Sequence, residues 1–173
     1  MLDWTLLIGR ALAWGLGLSL VLVSIMIISG IVAPDMWVGD YPPDIRDKYG
    51  PMSPRARRLR PYIAILVFGA FLGLPYLGLL HTREGLGDLS FVPALVFSFL
   101  SLLVFNTFDL IVLDWLVFCT IQPAMTILPG TEGMAGYRDY RFHFIGFLKG
   151  LGFCAGGGLV IAGAWSMTKP LLF

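Results

Sequence analysis

The chain has 173 residues and a formal net charge of +1, and 57% of its residues are hydrophobic while only 13% are charged. Soluble domains carry about 25% charged residues, so this composition excludes an ordinary soluble domain and predicts an integral membrane protein. The length predicts a single domain over residues 1–173. No basic, aromatic-rich patch is present, and a nucleic-acid partner therefore has no support.

Four apolar segments are long enough to cross a bilayer, which takes about 20 residues of helix. They lie at about 11–33, 62–80, 91–122 and 142–168. We therefore predict an all-α bundle of four transmembrane helices in contact with the lipid bilayer. The large loops 34–60 and 129–141 share one end of this bundle.

Arginines cluster where the first large loop meets the second span. Arg55, Arg57, Arg58 and Arg60 lie within six residues of one another. Basic residues beside a span attract anionic lipids, and each contributes about 1 kcal/mol near the surface. Together with Arg141 they are the predicted lipid- or anion-binding residues. The alternative is that they bind a phosphorylated lipid substrate.

The third apolar stretch is too long for one upright helix. Residues 91–128 form 38 positions, which as a helix would measure about 57 Å. The hydrocarbon core is only about 30 Å thick. We expect either one long, tilted helix or a break at residues 106–109, because Asn, Thr and Asp favour caps and turns. Pro123 is a second candidate kink.

The charge asymmetry favours four spans over five. With four spans, the two large loops share a side and carry seven basic residues, against three on the other side. With five spans the division is six against five. The positive-inside rule prefers the larger imbalance. It predicts cytoplasmic large loops, both termini on the non-cytoplasmic side, and a plasma or inner membrane.

Two aspartates lie inside the third apolar stretch, where a charge at the bilayer centre costs about 2.5–3.5 kcal/mol. Asp109 and Asp114 are five residues apart, which on a regular α-helix separates them by about 140°. A kink or a π-bulge would realign them, but the sequence does not establish one. One interpretation is a polar site near the cytoplasmic face. The other makes Asp109 a cap at the helix break and pairs Asp114 with Lys149 or Arg141.

The loop before the fourth span adds further candidates. Glu132 lies in a turn, and Asp139 is placed to cap the fourth span, with His143 four residues later on the same helical face. Carboxylates and a histidine are the groups that acid–base chemistry uses. Asp109, Asp114, Glu132 and His143 are thus the candidate catalytic residues. Their spacing matches no recognised metal site, so we predict no metal and assign no cofactor.

Glycines recur at four-residue spacing in the second and fourth spans. Such spacing lets two helix backbones approach closely. It predicts tight packing inside the bundle or, through the glycine-rich fourth span, a homodimer or a membrane-protein partner. The pairs are Gly69 and Gly73, Gly146 and Gly150, and Gly152 and Gly156.

Three classes of function are compatible with these features. The sequence favours a binding or accessory membrane protein, such as a complex subunit, because it lacks a strong catalytic signature. The alternative is a membrane-embedded enzyme that acts on a lipid or isoprenoid at the cytoplasmic interface. The third is an oligomeric transporter with Asp114 lining its path. An enzyme predicts a cavity where the carboxylates and His143 converge, and an accessory protein predicts that these residues are paired off.

Overall fold

Four long helices form the body of the molecule in the computed structural model, which describes residues 2–172. By length and composition all four are able to cross a membrane, and the described residues contain no β-strand. The predicted all-helical architecture with four spans is therefore confirmed at that level. The helices are α1 (Trp4–Val32), the short α2 (Pro43–Tyr49), α3 (Pro54–Leu86), α4 (Phe91–Phe108), a π-helix (Asp109–Ile121) and α5 (Tyr140–Leu172).

Helix α3 begins well before the span expected from hydropathy. The Ser53 hydroxyl accepts a hydrogen bond from the Ala56 amide at 3.2 Å, and proline occupies the first helical position, where its missing N–H costs nothing. The Asp35 carboxylate in turn accepts hydrogen bonds from the Ser53 amide and hydroxyl. The arginine cluster consequently lies on the first two turns of a helix, where all four arginines are exposed.

Helix α4 occupies the centre of the bundle and packs against α1, α3 and α5. Close approach to α1 depends on small residues: a Cβ atom on Gly15 would lie 2.8 Å from the Ser101 carbonyl oxygen. The Ser101 hydroxyl donates to the Ala11 carbonyl at 3.1 Å. On the α5 side, the buried Trp165 indole donates to the Leu89 carbonyl at 2.8 Å. These contacts hold α4 between its neighbours.

The third span is one continuous helix, and the expected break at residues 106–109 does not occur. Asp109 keeps right-handed helical angles, with φ −56° and ψ −53°. From there the hydrogen bonds change to the π pattern, which runs to Ile121. The helix ends at Gln122, whose φ of 51° is left-handed. Pro123 therefore follows the helix instead of kinking it.

The two large loops pack together over one end of the bundle, which we call the loop end. The Tyr41 hydroxyl donates to the Thr126 carbonyl at 2.9 Å. The Asp44 carboxylate accepts a hydrogen bond from the Gly136 amide at 2.9 Å, so this side chain joins the two loops. The same end carries the last residues of α1 and of the π-helix and the first residues of α3 and α5.

Candidate functional site

A cavity with several polar side chains on its wall lies near the loop end and has a volume of about 440 Å³. Its walls come from α1, the loop after α1, the junction of α4 with the π-helix, and the first turns of α5. Six of its lining residues carry polar side chains that are able to meet a ligand. They are Asp40, Asn106, Asp109, Asp114, His143 and Lys149.

A buried histidine–aspartate pair forms the centre of this site. His143 Nδ1 lies 2.9 Å from Asp114 Oδ1, and the two side chains are 6% and 27% exposed. This distance fits a hydrogen bond in which Nδ1 carries the proton, because an ionised carboxylate only accepts. His143 packs against the rings of Phe118 and Phe142, at centroid distances of 4.9 and 5.3 Å. These contacts fix the orientation of the imidazole ring.

The second ring nitrogen of His143 has no hydrogen-bond partner among the described residues, although the atom is buried. A buried polar atom without a partner costs free energy, and a ligand group or a water molecule relieves that cost. His143 lines the cavity wall. Its Nε2 is therefore available to accept a hydrogen bond when the ring is neutral, or to donate one when the ring is charged.

The π-helix changes how the two aspartates are arranged. In a π-helix the N–H of residue i+5 bonds to the C=O of residue i, so residues five apart lie nearly above one another. Asp109 and Asp114 have this separation, and both line the cavity. The separation of about 140° expected for a regular α-helix therefore does not apply to this segment, and the π-helix realigns the two aspartates. Both carboxylates face the same site.

Asp109 and Asn106 contribute further hydrogen-bond acceptors to the cavity wall. Among the described residues, no ion pair or hydrogen bond engages the Asp109 carboxylate, which is half-buried. The Asn106 amide nitrogen donates to the Phe147 carbonyl at 3.2 Å, and this leaves its Oδ1 as an acceptor. Gly150 makes room for this amide, because a Cβ atom at that position would collide with it.

Asp40 reaches the same cavity from the loop after α1. The residue is exposed by its accessible surface, but desolvation by the surrounding atoms raises the pKa of its carboxyl group, the nearby Arg60 guanidinium lowers it, Asp114 raises it and Arg46 lowers it. The sequence interpretation missed this residue. Its position in a proline-rich loop carries no local signal, because only the folding of that loop over the bundle brings Asp40 to the cavity.

A smaller cavity of about 220 Å³ adjoins the site. Both cavities are lined by Met26, Trp37, Asp40, Asp114 and His143. The remaining walls of the smaller one are almost entirely apolar, with Ile27, Leu113, Val117, Phe118 and Met125 among them. The histidine–aspartate pair thus lies between a polar compartment and an apolar one.

One rim of the larger cavity lies on the outer, apolar surface of α5. Phe153 lines the cavity and is 67% exposed, and the neighbouring rim residue Gly146 is exposed as well. An exposed phenylalanine on a helix of membrane-spanning length is expected to face lipid. The cavity therefore has a lateral opening toward the bilayer, if the four helices span it as their hydropathy indicates.

Glu132 does not lie with the other candidate catalytic residues. Its side chain is exposed at the tip of its loop, accepts a hydrogen bond from the Gly130 amide at 3.1 Å, and lines neither cavity. Hydrogen bonds from the Glu132 and Gly130 amides lower the pKa of this carboxyl group. Glu132 thus stabilises its own turn.

The predicted anion-binding arginines are also separate from the cavity. All five are exposed at the loop end, and none lines either cavity. Their binding of anionic lipid stays a prediction that concerns the surface of the protein. They are Arg55, Arg57, Arg58, Arg60 and Arg141.

The partners expected for Asp114 and His143 are corrected by the structure. Asp114 pairs with His143 and with neither Lys149 nor Arg141, both of which are exposed. Asp139 caps α5 as predicted, because its carboxylate accepts from the Phe142 amide at 2.9 Å. It is therefore engaged at the helix terminus instead of with the histidine on the same helical face.

Comparison with known proteins finds no match for this chain. Neither a family model, nor a curated protein, nor a solved structure matches the chain. Within residues 2–172, no group of three or more His, Cys, Asp or Glu side chains is arranged to hold a metal ion. The function must accordingly be argued from the geometry of the cavity.

Proposed function

We propose that this protein binds an amphipathic molecule of the membrane in the cavity near the loop end and performs acid–base chemistry on its polar end. This is the membrane-embedded enzyme that the sequence offers as an alternative. The observation that carries the proposal is His143, which lines the cavity. Its side chain is 6% exposed, its Nδ1 lies 2.9 Å from Asp114 Oδ1, and its buried Nε2 has no partner among the described residues.

The chemistry follows from the pairing of the two side chains. A carboxylate that holds Nδ1–H selects the tautomer in which Nε2 has a free lone pair. Nε2 then accepts a proton from an O–H or N–H group of the bound molecule, and the imidazolium that results is stabilised by the Asp114 carboxylate. The reverse transfer returns the proton. The apolar compartment beside the pair accommodates part of the hydrocarbon chain.

Photolabelling in nanodiscs tests the binding step. The probe is a long-chain alcohol with a photoreactive diazirine and a clickable tag, and labelled peptides are located by mass spectrometry. We expect labelling to concentrate on the segments around Phe105, Phe147 and Phe153, which line the cavity. Labelling spread evenly over the apolar surface of all four helices would refute the proposal.

The two histidines of the chain provide a matched pair of variants. His143→Phe keeps an aromatic ring against Phe118 and Phe142 but removes Nε2, and we expect labelling of the cavity to fall several-fold. His81→Phe is the control, because His81 is exposed near the opposite end of the bundle. Equal labelling in the two variants would show that His143 does not contact the probe.

A second candidate function, the accessory subunit, rests on glycines that face outward. A Cβ atom on Gly69, Gly73, Gly152 or Gly156 would meet nothing within 4 Å, whereas one on Gly157 would meet Leu102 and Phe71. The open glycines therefore leave room for another helix, as a homodimer through α5 requires.

The oligomeric state tests this candidate. We expect Gly152→Leu and Gly156→Leu to convert a dimer in nanodiscs into monomers, as counted by single-molecule photobleaching of a labelled protein. Gly17→Leu is the control, because Gly17 is exposed and equally open but lies on α1. A wild-type monomer would rule out the homodimer. The oligomeric transporter stays a prediction without an observation of its own.

A further inference from the structure

The acceptors on the cavity wall indicate which polar group the site takes. This inference rests on the proposed function and concerns the same site. His143 Nε2 and the Asp109 carboxylate have no hydrogen-bond partner among the described residues. The Asn106 amide donates one of its two N–H groups to the Phe147 carbonyl, and its Oδ1 remains an acceptor. When His143 is neutral, each of these three cavity-lining residues has a lone pair that no described donor fills. A ligand that satisfies them must supply donors.

The charges around the cavity further restrict the chemical class of the ligand. Three carboxylates line it, those of Asp40, Asp109 and Asp114, together with the amine of Lys149. Lys149 is exposed at the rim of the cavity, where its long flexible side chain is able to extend away from the cavity toward the membrane surface. Asp40 has Arg60 and Arg46 close by, and Asp114 has His143. Asp109 is therefore the carboxylate of the cavity that forms no ion pair with a described residue.

We propose that the ligand is a long-chain amine, bound as its ammonium ion with the charged head between Asp109, His143 and Asn106. An ammonium group has three donors and no acceptor, which matches three acceptors on the wall. Hydrogen bonds from a charged donor to a carboxylate are stronger than neutral ones. A phosphate or carboxylate head would instead meet like charge, and a hydroxyl would supply a single donor.

The apolar residues around the site favour an amine with a long hydrocarbon chain over a small soluble amine. The larger cavity opens at Phe153 on the apolar face of α5, and the smaller cavity is walled mainly by aliphatic and aromatic side chains. A hydrocarbon chain entering from the bilayer stays in an apolar environment along its length. Asp109 stabilises the ammonium form of the ligand, and His143 Nε2 accepts a hydrogen bond from it.

A competition experiment tests the ligand class. The protein is placed in nanodiscs of phosphatidylcholine, which has no net charge, and labelled with the photoreactive alcohol. Hexadecylamine, hexadecanol and hexadecanoic acid compete at equal mole fractions in the bilayer. We expect the amine to displace the probe at a mole fraction about tenfold lower than the other two, because a charge-assisted hydrogen bond is worth about a factor of ten or more in affinity.

Two matched aspartate variants test whether Asp109 causes the advantage of the amine over the other competitors. Asp109→Asn preserves shape and removes the charge, and it should reduce the advantage of the amine to about threefold or less. Asp47→Asn is the control, since Asp47 is exposed on α2 and lines no cavity; it should keep the full advantage. If Asp109→Asn does not fold, the ranking of the three competitors on the wild-type protein decides alone.

The outcomes separate this inference from the proposed function. Probe that labels the cavity but is displaced equally well by alcohol or acid overturns the amine and leaves the binding site in place. An amine advantage that survives in Asp109→Asn overturns the assignment of the charged head to Asp109. Labelling that never reaches the cavity refutes both proposals together.

Discussion

Replacing Asp114 by asparagine converts the charge-assisted hydrogen bond at the centre of the site into a neutral one, so the variant measures what the charge contributes to stability. In the wild-type protein His143 Nδ1 lies 2.9 Å from the Asp114 carboxylate, and the pair is largely buried. A hydrogen bond to a charged group contributes about 1.5–3 kcal/mol, and a neutral one about 0.5–1.5 kcal/mol. Asp114→Asn should therefore lower the free energy of unfolding by about 1–1.5 kcal/mol.

A second ion pair provides the control for this measurement. Lys169 Nζ and Asp88 Oδ2 are also 2.9 Å apart, but their side chains are 25% and 62% exposed. Exposed pairs contribute about 0–1 kcal/mol because water and salt screen them. Asp88→Asn should thus have a smaller effect than Asp114→Asn, although the two distances are equal.

The assay is unfolding by SDS in mixed micelles, followed by circular dichroism, on the single variants Asp114→Asn and His143→Phe and on the double variant. Residues in direct contact show an interaction energy, which we expect to be about 1–2 kcal/mol for this pair. Additivity within about 0.3–0.5 kcal/mol would refute the pairing. It would also remove the basis for assigning His143 its tautomer.

Three further predictions concern the surroundings of the site. Gly150→Ala should destabilise the protein by about 1–3 kcal/mol, because its methyl group would collide with the Asn106 amide. Gly152→Ala should be neutral or stabilising by up to about 1 kcal/mol, because nothing lies within 4 Å of the added methyl group. Unfolding in SDS compares the two variants, and equal effects would contradict this packing. Asp40→Asn should stabilise the protein at neutral pH, because the raised pKa of Asp40 makes its ionised form unfavourable in the folded protein. This gain in stability should disappear as the pH falls toward 3.8, where the carboxyl group is protonated in both the folded and the unfolded state. A gain that is independent of pH would refute the desolvation of Asp40. Tyr137→Phe should cost about 1–3 kcal/mol, because the buried hydroxyl accepts from the Leu128 amide at 2.9 Å, and unchanged unfolding would show that the loop end does not depend on it.

The candidate residues were predicted from their types, but their partners were not. Asp114 and His143 stand out because a carboxylate in an apolar stretch is expensive and a histidine titrates near neutral pH. The sequence interpretation paired His143 with Asp139 and Asp114 with Lys149 or Arg141. Helical periodicity relates residues on one helix only, and the pair that forms joins two different helices.

The angle between Asp109 and Asp114 about the helix axis could not be predicted from the sequence either, because it depends on the type of helix that the backbone forms. An α-helix places residues five apart on different faces, and a π-helix places them on one face. Both patterns satisfy the same backbone groups, so hydropathy and composition do not distinguish them. The packing of the third span against α1 and α5 accompanies the π pattern that aligns the two carboxylates.

By itself, the sequence determined the all-helical class, the four segments of membrane-spanning length, and the cap at Asp139. These depend on hydropathy summed along a segment and on hydrogen bonds within a few residues, which are local properties of the chain. Only the tertiary structure decided that Asp40, Asp109, Asp114 and His143 line one cavity and that Glu132 lies outside it. That outcome depends on how each helix is rotated about its axis and on how the loops fold over the bundle, and contacts between distant segments determine both.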